Sequence, residues 1–219
     1  MPVMSGATGN ELDLADWRRR VARIYADVRF LYPDDPVAAW QHWRAEREGL
    51  FRDHPQSPVM PVDRASFRGR YWGYDARLAF ELEVRRDEPT DAQPPTGLAL
   101  ALPTSGGGTM AFRRIGWLDV PFPEGSRRLA LYWMEGYAGG LFVPFRDATN
   151  GTETYGAGRY LLDAAKSADL GGDRLRRTLV CDFNFSYQPS CAFDPQWACP
   201  LAPPENRLDL AVRAGERIA

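Results

Sequence analysis

The sequence predicts a mainly β (α+β) protein: an antiparallel barrel or sandwich of about seven or more strands, preceded by a pair of helices. Three observations carry this. Apolar residues recur at helical spacing only near the N-terminus, alternate with period two from about Ser66 onward, and are broken by Gly and Pro clusters at short intervals. No internal repeat or heptad run appears. The organisation expected is a small polar, disordered tail over residues 1–12 and one domain over 13–219. That domain divides into a helical pair over 13–55 and a β-rich body over 66–219 with a long C-terminal loop segment.

Trp17, Val21, Ile24 and Val28 share one face of the first helix, while Arg18, Arg19, Arg20, Arg23 and Arg29 take the other sides. Asp13 or Asp16 is placed to cap its start, and Pro33 ends it. The second helix opens at Asp35–Pro36, a capping residue followed by proline at the first helical position. Gly49, Pro55 and Pro58 stop it. Trp40 and Trp43 read as packing residues.

In Arg77–Arg85, Leu78, Phe80, Leu82 and Val84 alternate with Ala79, Glu81 and Glu83, the pattern of a half-buried strand. Further strands are predicted at Leu98–Leu102, Thr109–Trp117, Leu129–Trp133, Leu141–Phe145, Arg159–Leu162 and Thr178–Phe183. Breaks fall at Pro94–Pro95, Ser105–Gly108, Gly139–Gly140 and Gly171–Gly172. Gly106–Gly108 lacks the Lys-Ser/Thr of a phosphate loop and reads as a hairpin turn.

The net charge of −2 gives no concentrated basic face, which argues against nucleic acid. No apolar run reaches membrane-spanning length. The N-terminus carries no basic region followed by an apolar stretch, and three cysteines is an odd, low count. Together these predict a cytoplasmic protein without a disulfide framework. Lys166 is the only lysine, so arginine carries nearly all the positive charge. This is read as coding bias, with selection for anion-binding forks as the alternative.

Polar and aromatic residues concentrate in two blocks. In residues 141–163, Asp147, Glu153, Tyr155, Arg159 and Tyr160 lie close together among glycines that permit tight backbone bends. On a strand, Arg159 and Tyr160 point to opposite faces, and Arg159 offers a bidentate donor to an anion. Glu153 is a candidate general acid or base. The alternative is a buried ion pair of Arg159 with Asp147 or Glu153. In the second block, residues 179–217, Asp182 and Asn184 share a strand face, with Cys181 and Phe183 turned to the core and Tyr187 nearby. Glu205 and Asn206 either form a rigid turn or line the same pocket as Asp182. Cys191 and Cys199 lack zinc spacing, and all three thiols read as packing residues, so no metal is predicted.

The segments FVPFRDATNGTETYGAGRYL, CDFNFSYQPSCAF, CPLAPPENRL and AGER occur in this order. With the tryptophan-bearing helix leading to His54-Pro55-Gln56-Ser57-Pro58, they resemble an uncharacterised bacterial and archaeal family, domain of unknown function 1684. The likeness runs from about Asp35 to Arg217 and implies that the two blocks form one unit. It assigns no activity. The family motif is close to Asp-Phe-Asn-x-Ala-Tyr-Asn-Pro-Pro-Cys; Asp182, Phe183, Asn184, Tyr187, Pro189 and Cys191 match it, and Ser186, Gln188 and Ser190 depart. If Gln188 lines a pocket, its longer amide alters the ligand accepted.

These residues predict a small-molecule enzyme or ligand-handling protein. Glu153 or Asp182 would move a proton, Arg159 would hold an anion, and Tyr155 or Tyr187 would orient the ligand. Asp147, Asn184, Glu205 and Asn206 complete the pocket. A non-catalytic binding module and a purely structural polar network are the alternatives. No cofactor motif is present, and none is predicted. Surface aromatics would fit a homodimer interface, with core packing accounting for most of them.

Overall fold

The structure, a computed structural model, describes residues 11–86 and 98–218. The predicted tail up to Asn10 and the break at Pro94–Pro95 lie outside these residues. Helix α1 spans Glu11–Leu31 and helix α2 spans Pro36–Asp53. The first begins at Glu11, so Glu11 and Leu12 belong to it and not to a tail. Glu11 and Asp13 place negative charge in its first turn, where the helix dipole favours it. Asp35 caps α2 as predicted, its Oδ1 accepting from the Ala38 N–H at 2.9 Å. Gly49 does not end α2, which runs on to a cap at His54. The His-Pro-Gln-Ser-Pro turn then closes on itself. His54 Nδ1 accepts from the Gln56 N–H at 3.0 Å, leaving Nε2 to meet Asp16 of α1 at 3.2 Å.

Among the described residues eight strands follow: β1 Ala79–Glu83, β2 Leu98–Pro103, β3 Thr109–Phe122, β4 Gly125–Met134, β5 Gly140–Phe145, β6 Arg159–Asp163, β7 Gly172–Asp173 and β8 Thr178–Asp182. They form two antiparallel sheets, one of three strands in the order β1-β8-β7 and one of five in the order β2-β3-β4-β5-β6. The protein is therefore mostly β with two N-terminal helices. Ser105–Gly108 is the hairpin turn between β2 and β3, closed by the Thr104 N–H on the Gly108 carbonyl at 2.8 Å.

The five-stranded sheet is open, which corrects the barrel alternative. Its edges are covered without meeting each other: β6 at Tyr160 by Tyr187, and the end of β2 at Thr104 by Pro200. It is also buried on both faces. Phe112, Ala130, Tyr132, Phe142 and Tyr160 join a cluster with Ile24, Val28, Trp40 and Trp43 of the helices. Leu118, Val120, Leu129, Leu131 and Phe145 join another with Leu82, Cys181 and Phe183 from the small-sheet side. Alternation along β4 thus reads apolar on both faces, the mark of a doubly covered strand.

Candidate functional site

The two blocks do meet. Tyr160 and Tyr187 bridge through reciprocal backbone bonds of 2.9 and 3.1 Å, and the Gln188 Oε1 accepts from the Tyr155 N–H at 2.9 Å. Gln188 therefore ties the blocks together by its side chain. Within this unit the predicted residues fall into separate groups.

The first is a buried frame around Arg159, which is fully buried at the start of β6. Its Nη2 donates to Asp147 Oδ2 at 3.2 Å and to the Val212 carbonyl at 2.7 Å. Its Nη1 donates to the Ala214 carbonyl and, at 3.2 Å, to the Glu216 carbonyl. Asp147 also accepts from the Val212 N–H at 2.7 Å and the Thr149 hydroxyl at 2.7 Å. Of the two partners the sequence allowed Arg159, the structure selects Asp147. Burial pulls the guanidinium down to about 10, with Asp147 opposing it, so it stays charged at neutral pH. Gly215, at φ +77°, lets the C-terminal segment pass against Ser186 and present these carbonyls. The anion-binding fork predicted for Arg159 is thus spent on one carboxylate and the main chain.

The second group pins the C-terminal segment to the sheet. Asn206 Oδ1 accepts from the Ala130 N–H at 2.7 Å, while its Nδ2 donates to the carbonyls of Ala130 at 3.0 Å and Pro144 at 2.7 Å. Glu205 accepts from the Tyr132 hydroxyl at 2.8 Å. Both residues hold β4 and β5 rather than joining Asp182, which corrects the shared-pocket alternative. Tyr187 is buried, its hydroxyl 3.3 Å from Asp163 Oδ2 and its ring under Arg47. Arg47 in turn forms a fork on buried Glu216 at 2.6 and 3.1 Å.

Glu153 stands apart at the surface. Its carboxylate takes three hydrogen bonds from Arg213, and that contact holds it below the usual carboxylate range. It shares no partner with Asp182, so the two carboxylates do not form an acid–base pair. An ionised, solvated carboxylate is a weak general acid at neutral pH.

Asp182 differs in every respect. It is fully buried at the end of β8, and among the described residues no cation pairs with it. Oδ1 accepts from the Asn184 N–H at 2.8 Å and Nδ2 at 2.7 Å; Oδ2 accepts from the hydroxyls of Tyr32 at 3.0 Å and Tyr74 at 2.9 Å. The Asn184 amide also clamps Asp75, donating to its carbonyl and accepting from its N–H, both at 2.9 Å. Burial raises the Asp182 carboxyl above the ordinary aspartate range, and the Asn184 and tyrosine hydrogen bonds recover part of that shift. Tyr32 and Tyr74 are half-buried, and burial followed by the neighbouring Asp182 charge pushes both hydroxyls up, so they persist as donors.

Tyr32 and Tyr74 are missing from the sequence expectation. Tyr32 had a signal: it continues the Trp17, Val21, Ile24, Val28 face by one more turn. Tyr74 had none, being 108 positions from its carboxylate. Tyr155, predicted to contact ligand, is half-buried beside Cys191.

Among the described residues no group of three or more His, Cys, Asp or Glu could hold a metal ion, and no helix is long and apolar enough to cross a membrane. An open groove between α1 and α2 is polar, lined by residues such as Arg19, Arg23 and Asp53, and contains none of the predicted site residues.

Fold and site together define a class: a two-sheet β protein fronted by a helical hairpin, with a buried carboxyl under paired tyrosines. The chain belongs to the family described as protein of unknown function DUF1684, whose model matches residues 66–217. Among solved structures it is similar to the uncharacterized protein from gene locus rrnAC0354 of Haloarcula marismortui, determined by solution NMR. That likeness has 31% identity and a TM-score of 0.57, covering 81% of this chain and 91% of the other. Comparison with curated proteins gave no match.

Proposed function

We propose that this protein handles a small polar ligand at Asp182, with the carboxyl as proton carrier and the Tyr32 and Tyr74 hydroxyls as the groups that orient the ligand. The observation that carries the reading is a buried carboxyl without a cation, shifted toward its neutral form, under two half-buried hydroxyls. Burial of that kind is how a carboxyl is tuned for acid–base work near neutral pH. The ligand enters beside the C-terminal end of α1, and the two sheets pack as a sandwich that holds β8 rigid behind it. Arg159, Asp147 and Asn206 support the site as frame. The unbridged cysteines fit a cytoplasmic setting.

A second reading, a purely structural network, is favoured by one observation: each Asp182 carboxylate oxygen already has two donors within the fold. Screening the purified chain against small polar compounds by native mass spectrometry separates the two. On the ligand reading, a compound retained by the wild type loses at least about tenfold in affinity, ~1.4 kcal/mol, in both Asp182→Asn and Tyr74→Phe. A ligand indifferent to both substitutions overturns it. Chemical change in the bound compound marks an enzyme; its recovery unaltered marks a binding module.

A further inference from the structure

Cys191 and Cys199 are eight positions apart on the irregular segment after the Asp182 turn, and the chain folds them onto each other. The Cys191 N–H donates to the Cys199 sulfur at 3.4 Å, and the side chains of Ser105 and Tyr155 lie beside the Cys191 thiol. Ser105 is itself fixed from two sides, accepting from the Cys199 N–H and donating to the Trp197 carbonyl, both at 3.0 Å. Phe193, two residues past Cys191, is anchored edge-on against Phe51 and Phe67. Leu201, two residues past Cys199, is tied to the Pro103 carbonyl at 2.9 Å. Both thiols are buried, yet Pro195, Gln196 and Ala198 between them and Ser105 beside them are exposed. Cys181 is different: it lies in the core, where burial pushes its thiol up to about 12.

We propose that Cys191 and Cys199 form a thiol–disulfide exchange site for small disulfides, with Cys191 attacking and Cys199 resolving. The Cys191 main chain on the Cys199 sulfur brings the two ends of an anchored loop together, as a bond between the thiols requires. The donors around Cys191, the Cys199 thiol foremost, hold it below the usual thiol range, while Cys199 keeps its proton. The Cys191 thiolate, its proton released to solvent, attacks one sulfur of R–S–S–R. That S–S bond breaks and R–S⁻ leaves with the bonding pair. Cys199 passes its proton to this departed thiolate and attacks the Cys191 sulfur of the mixed disulfide. The second R–S⁻ leaves and takes a proton from solvent. Two protein thiols are oxidised and one small disulfide is reduced to two thiols. Tyr155 and Ser105 are positioning residues. The site stands independently of Asp182.

The test uses the full chain, oxidised glutathione as the small disulfide, alkylation quench, intact mass and peptide mapping. The wild type is expected to lose two hydrogens, retain no glutathione, and yield a linked Cys191–Cys199 peptide with Cys181 alkylated. Cys199→Ser is expected to trap one glutathione on Cys191, and Tyr155→Phe to slow alkylation of Cys191 several-fold at neutral pH. Three alkylated thiols in the wild type, or a linkage through Cys181, overturns the proposal. So does a folded Cys199→Ser variant that traps nothing. If that variant fails to fold, the wild-type peptide map alone decides.

Discussion

Arg159 and Asp182 are both completely buried charged side chains from the same pair of blocks, and their surroundings are opposite. Arg159 is answered by a carboxylate and three carbonyls, and no hydroxyl leads outward from it. Asp182 has only neutral donors, two of them on half-buried tyrosines. The contrast teaches that burial of a polar side chain says little about its use. What separates frame from site is whether the partners are closed within the chain or reach toward solvent, and whether the charge is compensated. A compensated charge costs stability when its partner is lost; an uncompensated one already carries the penalty.

The largest effect should follow Arg159→Met, which strands Asp147 and the 212–216 carbonyls. Urea denaturation is expected to show a loss of about 3–5 kcal/mol. A loss under about 1 kcal/mol, the value of an exposed pair, breaks the frame half of the contrast. Asn206→Ala comes next, since it orphans backbone groups of Ala130 and Pro144 at roughly 1–3 kcal/mol for each left unsatisfied.

Asp182→Asn should cost less, and its effect should depend on pH in a definite direction. The folded carboxyl titrates above its unfolded value, so the folded state binds more protons between the two values and wild-type stability falls as pH rises through that window. Removing the ionisable group removes this slope. The stability of the wild type relative to Asp182→Asn should therefore increase as pH is lowered from neutral toward the ordinary aspartate range. A difference that stays flat or shrinks on acidification marks a conventionally stabilised carboxylate. The smallest effect is expected for Glu153→Gln, whose partner is the exposed Arg213: melting temperature and ligand retention should both match the wild type.

Much of this arrangement was legible locally. Asp35–Pro36 announced α2, the period-two run at Arg77–Arg85 marked β1, and short segments between Gly and Pro breaks marked six more strands, because these signals arise within a few residues. The opposite facing of Arg159 and Tyr160 followed from strand geometry and holds in the structure. The strand predicted to carry Asp182 and Asn184 on one face stops at Asp182; Asn184 lies in the 3-10 turn Phe183–Phe185, and the two meet because the Asp182 carboxylate caps that turn. What was not legible depends on distant chain. Strand β7 is two residues long and starts at Gly172, where a side chain would collide with the Thr178 carbonyl; in sequence it reads as a glycine break. Closure of the larger sheet into a barrel could not be judged, because its edges are covered by Tyr187 and Pro200 from the C-terminal segment. Cys191 and Cys199 fit no metal spacing, and their Ser105 neighbour comes from the β2–β3 turn.

The state of the Asp182 carboxyl is the most direct test of the division between frame and site. Carbon-13 NMR titration of aspartate carboxyls, with the Asp182 signal assigned by its absence in Asp182→Asn, reads that state in the folded chain. The result expected is a midpoint above the ordinary aspartate range that moves when Tyr32 or Tyr74 is changed to Phe. A midpoint below that range would make Asp182 one more satisfied carboxylate of the frame, and would contradict its assignment as the proton carrier.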